Sequence, residues 1–137
     1  MRRQILYVED DYDDFLLLQK AFQDVDEDIE LINVVNGFDT IKFLEESEDN
    51  FPSLILMDLN MPGMDGKETL ELLKNDDKYK SIPVIFLSTS VNRFDKKIIK
   101  TAGVELISKP SLYDEWLAIA EKLAHLYCLI FLCSAVS

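Results

Sequence analysis

Five short, mainly apolar runs recur along the chain, and each is followed by a segment in which apolar residues recur every three or four positions. Runs of four or five such residues without polar alternation are typical of strands buried on both faces of a parallel sheet. The three-to-four spacing is typical of amphipathic helices. The predicted strands are 5–8, 31–35, 54–57, 84–87 and 104–107.

This strict alternation of strand and helix predicts an open α/β sheet with helices on both faces. Turn-forming pairs such as Asn36-Gly37 and Asp65-Gly66 separate the elements. Since no repeat or linker interrupts the pattern, we predict one domain over residues 1–124. Residues 125–137 are then an apolar C-terminal tail that extends the last helix.

Charge and cysteine content exclude several classes of partner. Acidic residues outnumber basic ones 26 to 14, giving a formal net charge of −12. An anionic surface repels nucleic acid. The two cysteines near the C-terminus do not make a disulfide framework. No signal peptide is visible. The apolar stretch 126–133 is far shorter than the ~20 residues that a membrane-spanning helix needs. A cytoplasmic protein without a nucleic-acid or membrane partner is predicted.

Polar residues follow the predicted strands at the points where ligands bind in such sheets, outside the strands' carboxyl ends. Glu9 and Asp10 follow the first strand, and Asp58 follows the third. Ser88 follows the fourth strand, and Lys109 follows the fifth. We therefore expect carboxylates, a hydroxyl and an ammonium to meet in one pocket.

Clustered carboxylates need a neutralising partner, because two like charges 4 Å apart repel by roughly 4 kcal/mol at an effective dielectric constant of 20. Either some carboxyl groups hold protons or a cation sits among them. A pocket of hard oxygen donors suits Mg²⁺. An aspartate beside that ion can attack a phosphoryl donor and form an acyl phosphate, while the ion and Lys109 stabilise the transferring group.

Four segments carry a resemblance to the receiver domains of bacterial two-component response regulators. They extend from the first strand to the last helix, and their order makes the combination specific: 5–10, 56–66, 83–88 and 108–110. The resemblance implies a five-stranded parallel sheet in the order 2-1-3-4-5, the flavodoxin-like receiver fold.

The same resemblance assigns the metal site and the phosphoacceptor. Asp58 matches the aspartate that accepts the phosphoryl group. Glu9 and Asp10 match the acidic pair, with Asp10 the direct ligand of Mg²⁺ and Glu9 acting partly through water. Asn60 would lend its backbone carbonyl, so the implied metal site is Glu9, Asp10, Asp58 and Asn60.

Ser88 matches the hydroxyl that moves to bind the phosphoryl oxygen, and Lys109 matches the ammonium that pairs with it. In this family Pro110 follows a cis peptide bond, which would aim Lys109 inward. One position departs from the pattern. Receivers often carry an aromatic residue three positions before the lysine, where this chain has Leu106.

The resemblance also implies partners. A sensor histidine kinase would phosphorylate the chain, and a downstream phosphotransfer or target protein would bind it. The run 8–14 resembles that of small receivers partnered with bacterial phytochromes. Such a chain is no enzyme in the usual sense, because it catalyses only its own phosphorylation and dephosphorylation. A receiver-like adaptor that acts without phosphorylation is the alternative.

Two other classes with related chemistry fit less well. A flavin carrier of similar architecture must cradle a phosphate in its first loop, where Glu9, Asp10 and Asp11 would repel it. A phosphatase of the haloacid dehalogenase type needs a second aspartate two residues after the nucleophile, and this chain has Asn60.

Two further segments have a structural interpretation. Asp11, Asp13 and Asp14 open the first predicted helix, where acidic side chains favour the helix dipole. The tail over 126–136 is almost entirely apolar. It either folds back over the sheet edge or extends the last helix and pairs two chains as a homodimer.

Overall fold

The computed structural model describes residues 3–61, 63–89 and 91–136, with side chains as far as Leu126. Five strands and five helices alternate along the chain, as the apolar pattern predicts. In chain order they are β1 (Arg3–Val8), α1 (Tyr12–Val25), β2 (Ile29–Val34), α2 (Gly37–Glu46), β3 (Leu54–Met57), α3 (Gly66–Lys74), β4 (Val84–Ser88), α4 (Arg93–Thr101), β5 (Glu105–Ser108) and α5 (Tyr113–Val136).

The strands form one parallel sheet in the order β2-β1-β3-β4-β5, which confirms the predicted fold. The chain adds β2 on one side of β1 and then β3 on the other, so the strand order reverses at β1. That reversal opens a crevice at the carboxyl ends of β1 and β3, where ligands bind in sheets of this kind.

Helices cover both faces of the sheet. On one face, α1 and α5 pack on β1, β3 and β4 through Leu18, Phe22, Trp116 and Leu123. On the other, α2, α3 and α4 cover the same strands with Leu44, Leu70, Leu73 and Ile99. The sheet thus has a buried apolar cluster on each face.

Burial is continuous over most or all residues only in the inner strands, so the prediction that all five strands are buried on both faces is wrong for β2 and β5. Strands β1, β3 and β4 have buried side chains over most or all of their length. Glu105 on β5 is exposed, and Leu106 and Ile107 are half-buried. The physical reason is that β2 and β5 are the sheet edges, with a strand neighbour on one side only.

Four helices begin at a side chain that accepts a hydrogen bond from the first turn. The capping residues are Asp11, Asn36, Asp65 and Asn92. Asn36-Gly37 and Asp65-Gly66, which the sequence marks as turn pairs, are therefore helix starts. Each capping oxygen satisfies a backbone N–H that has no partner within its own helix.

Gly66, the first residue of α3, lies against the backbone that carries Asp58. A Cβ at position 66 would lie 2.6 Å from the carbonyl oxygen of Asp58 and 3.0 Å from the Cα of Leu59. We expect Gly66→Ala to lower the free energy of unfolding by about 1–3 kcal/mol, because this backbone must shift. Urea unfolding measures the change.

Helix propensity predicts the opposite sign, because alanine favours a helix over glycine by about 1 kcal/mol. A Gly66→Ala chain that is more stable than wild type would therefore contradict the close approach. Glu71→Ala, an exposed change in the same helix, is the control and should alter stability by less than about 0.5 kcal/mol.

The backbone of α5 continues through Val136, so the helix takes in most of the apolar tail. Side chains from position 127 onward lie outside the described part of the structure, and so does the hypothesis that they pair two chains. Within the described residues, no helix combines the length and the apolar character needed to cross a membrane.

Candidate functional site

The candidate site lies where four parallel strands end at one edge of the sheet. Val8 on β1 is paired with Met57 on β3, and Ser88 ends β4 opposite Ser108 on β5. The backbone N–H of Asp58 donates to the carbonyl of Val8 at 3.1 Å. The register thus brings together the residues that follow each strand, as the sequence predicts.

Asp58 is buried and has a donor for each carboxylate oxygen. Its Oδ1 accepts from the Ser88 hydroxyl at 3.0 Å and from the Asn60 backbone N–H at 3.1 Å. Its Oδ2 accepts from the Lys109 ammonium at 3.1 Å. These donors on three separate elements fix the orientation of the carboxylate.

Glu9, Asp10 and Asp58 form an acidic cluster at the crevice. Each offers one carboxylate oxygen, and these oxygens lie within 4.8 Å of one another. Glu9 and Asp58 are buried, while Asp10 is exposed at the mouth. Carboxylate oxygens so arranged can hold a divalent cation that keeps waters on its open side. The Asn60 backbone carbonyl as a further metal ligand stays a prediction.

Lys109 is the cation of the pocket, and its side chain is only 6% exposed. Its Nζ lies 2.6 Å from Glu9, 2.9 Å from Asp14 and 3.1 Å from Asp58. Burial by itself would lower the pKa of Lys109, but the hydrogen bonds to Glu9 and Asp14 and the charge of Asp58 outweigh it and raise that pKa. Lys109 therefore stays charged.

Burial raises the pKa of Glu9 from its ordinary 4.5 to about 7, although the hydrogen bonds from Lys109 and from the Asp11 backbone N–H oppose the change. The Tyr7 hydroxyl donates to the same carboxylate at 3.4 Å, and the pKa of Tyr7 is raised by burial and then by the charge of Glu9. Burial thus opposes the ionisation of Glu9 even though the Lys109 ammonium is in contact with its carboxylate.

Asn33 anchors the backbone beneath Glu9. Its side-chain amide donates to the carbonyl oxygens of Tyr7 at 3.1 Å and Glu9 at 3.0 Å, and to its neighbour Val34 at 3.1 Å. Asn33 was not among the predicted site residues. A single asparagine within an apolar run is the signal that could have found it, because a polar side chain inside a strand requires hydrogen-bonding partners.

Two expectations about the pocket differ from the structure. The peptide bond between Lys109 and Pro110 is trans, not cis, and an X–Pro bond favours trans unless its surroundings oppose it. Lys109 nevertheless points inward. Asp14 does lie in the first turn of α1, as predicted, but it also binds Lys109. No spacing rule predicts this contact, because Asp14 lies in α1 and Lys109 follows β5, far away along the chain.

Comparison with known proteins agrees with this geometry. The family described as "Response regulator receiver domain" matches residues 5–121. DivK of Brucella anthropi, a polar-differentiation response regulator, is 34% identical over 113 residues, covering 80% of this chain and 86% of DivK. The response regulator Rcp1 of Synechocystis is 39% identical over 95 residues, covering 66% of this chain and 65% of Rcp1. PilG of Pseudomonas aeruginosa, at 36% identity over 89 residues, is likewise matched over only 64% of its length.

Two solved structures have the same fold. The phosphorylated cyanobacterial phytochrome response regulator RcpA superposes with a TM-score of 0.83 at 30% identity, covering 93% of this chain and 95% of RcpA. The Mn²⁺-bound form of Rcp1 superposes with a TM-score of 0.77 at 32% identity, covering 88% of this chain and 91% of Rcp1. By its fold, its strand-end pocket and these matches, the chain belongs to the response regulator receiver family of two-component signalling.

Proposed function

We propose that the chain accepts a phosphoryl group on Asp58 from a sensor histidine kinase, with Mg²⁺, and signals by binding another protein in the cytoplasm. One observation carries the proposal. The Asp58 carboxylate lies among Ser88, Lys109 and the acidic cluster of Glu9 and Asp10. This arrangement provides a nucleophile, a hydroxyl, an ammonium and a set of cation ligands at one strand edge.

In the transfer step an oxygen of the Asp58 carboxylate attacks the phosphorus atom, and the bond from phosphorus to the donor nitrogen or oxygen breaks. The donor leaves with the bonding electrons, and a phosphohistidine donor that carries a proton on its other ring nitrogen leaves as neutral imidazole. Lys109 supplies positive charge beside the carboxylate, and the Ser88 hydroxyl can donate to a phosphoryl oxygen. We propose that the chain catalyses only its own phosphorylation and dephosphorylation and does not turn over other substrates.

Glu9, Asp10, Asp58 and the Asn60 backbone carbonyl are the proposed Mg²⁺ ligands, and the bound ion would neutralise charge on the transferring phosphoryl oxygens. Oxygen donors alone favour a hard cation of this kind. The solved Mn²⁺-bound form of Rcp1 is a similar protein that holds a divalent cation.

Asp10→Ala should lower Mg²⁺ affinity about 10-fold or more, because it removes the exposed carboxylate of the acidic cluster. Asp11→Ala is the matched control. Asp11 caps α1 by accepting from the N–H groups of Asp13 and Asp14, so its loss should cost about 1 kcal/mol of stability and leave Mg²⁺ affinity nearly unchanged. Calorimetric titration measures affinity. Equal losses of affinity would mean that the ligand assignment is shifted by one residue.

The kinase proposal rests on similar proteins. RcpA is named as a phytochrome response regulator, and RtBRR, at 30% identity and a TM-score of 0.71, as a bacteriophytochrome response regulator. We infer a photoreceptor kinase of that kind as the donor. Incubating the chain with purified, phosphorylated kinases and following the phosphate tests this directly.

A small acyl phosphate tests the core of the proposal without a kinase. Intact-mass measurement should show the addition of one phosphoryl group with Mg²⁺ and none with a chelator. A chain that stays unmodified under both conditions, yet binds its partner, would be a phosphorylation-independent adaptor. One observation favours that second function. Leu106 on β5 is paired with Phe86 on β4, and it occupies the position where many receivers carry an aromatic residue.

A further inference from the structure

Asp14 is an acidic residue of the pocket that lies outside the acidic cluster. It belongs to the first turn of α1, and its Oδ2 lies 2.9 Å from the ammonium of Lys109. That distance is shorter than the 3.1 Å between Lys109 and Asp58. Asp14 therefore contacts the residue proposed to pair with the phosphoryl group, without being among the proposed metal ligands.

The ammonium of Lys109 has no hydrogen-bonding capacity to spare. A lysine ammonium has three N–H groups. In this pocket carboxylates of Glu9, Asp14 and Asp58 surround it, each within 3.1 Å, and the side chain is almost fully buried. One phosphoryl oxygen can replace the Asp58 carboxylate as a partner of Lys109, because that carboxylate loses its charge on phosphorylation. Any second phosphoryl oxygen must compete with Glu9 or Asp14 for an N–H group.

Phosphorylation would create such an acceptor. A phosphoryl group brings about −1.5 to −2 units of charge and three strongly accepting oxygens. Glu9 is a poor partner for Lys109 to abandon, because its side chain is 1% exposed and water cannot replace the ammonium there. The side chain of Asp14 is 22% exposed, so water can replace the ammonium there at lower cost.

We propose that Asp14 is a positioning residue that holds Lys109 in the unphosphorylated geometry and releases it to the phosphoryl group. This inference rests on the proposed function of Asp58. Because Asp14 is part of α1, its release makes the first turn of that helix respond to phosphorylation. It also makes Asp14 a competitor that slows phosphorylation of Asp58.

The kinetic test uses three variants, a small acyl phosphate and saturating Mg²⁺, with intact mass as the measurement. Asp14→Asn should be phosphorylated about tenfold faster than wild type, since a charge-assisted hydrogen bond no longer holds Lys109. Asp14→Glu should restore a rate near that of wild type. Asp13→Asn removes the same charge from the same exposed helix turn and should stay within about twofold. Equal rates for Asp14→Asn and Asp13→Asn would overturn the proposal.

Hydrogen exchange on wild type and on Asp14→Asn gives a second test. Amides of residues 13–16 should exchange faster once the mass measurement shows the phosphoryl group, and in Asp14→Asn this change should be absent. Unaltered exchange at these amides in phosphorylated wild type would overturn the role of Asp14 while leaving the proposed function intact. Failure of wild type to take up phosphate would overturn both.

Discussion

Asp58→Asn should take up no phosphoryl group under conditions in which wild type is fully modified. An amide oxygen lacks the charge and the nucleophilicity of a carboxylate, so the acyl phosphate cannot form. The substitution keeps the shape of the side chain, and its oxygen can still accept from Ser88 and Asn60. The fold should therefore survive, and loss of phosphorylation reports on chemistry. Intact mass with and without chelator measures the outcome.

Asp65→Asn is the matched control for this experiment. Asp65 lies on the same β3–α3 connection and caps α3 by accepting from the Glu68 N–H at 2.9 Å. Asparagine caps a helix about as well as aspartate, so this variant should be phosphorylated like wild type. Phosphate retained by Asp58→Asn would mean that another residue is the acceptor, and peptide mapping would then identify it.

The sequence predicted the sheet because its inner strands read as unbroken apolar runs. Leu54–Met57 has four apolar residues in succession and is buried throughout. The edge strands were harder, because apolar content does not reveal how many neighbours a strand has. Residues 29 and 30 at the start of β2 were missed, since Glu30 breaks the apolar pattern there. A half-exposed edge tolerates such a residue.

The pocket was predictable to the extent that strand ends meet at one edge of a parallel sheet. That rule brought Glu9, Asp58, Ser88 and Lys109 together. The strand-end rule does not predict contacts made at this edge by a residue of a helix. The contact of Asp14 with Lys109 depends on the rotational phase of α1, which is set by its cap at Asp11 and by packing on the sheet. Sequence spacing alone leaves that phase open.

The contribution of Glu9 to stability should fall as pH rises from about 4.5 to 7 in the absence of divalent cations. The pKa of Glu9 is raised to about 7 by burial, so over this interval the folded state binds more protons than the unfolded state. Saturating Mg²⁺ should flatten the dependence, because a cation favours the ionised carboxylate.

Lys109→Met should destabilise the chain more than any change on its surface, and the loss should depend on pH. It removes the ammonium that faces Glu9, Asp14 and Asp58 while keeping most of the side-chain volume. Leaving buried charges without their partner costs about 3–5 kcal/mol, and we expect this loss near pH 8. Near pH 5 the loss should be smaller, because Glu9 can then hold a proton. Urea unfolding at the two pH values measures both losses.

Lys122→Met is the control, because it breaks a lysine–glutamate pair that is exposed to solvent instead of buried. Lys122 binds Glu105 with side chains that are 54% and 43% exposed. Water and salt screen such a pair, so its removal should cost less than about 1 kcal/mol at either pH. Two results would contradict the idea that the buried Glu9 requires Lys109. One is a similar loss of stability in the two variants, and the other is a loss for Lys109→Met that is as large at pH 5 as at pH 8.

Mg²⁺ should partly restore the stability of Lys109→Met, since a cation among the same carboxylates replaces some of the missing charge.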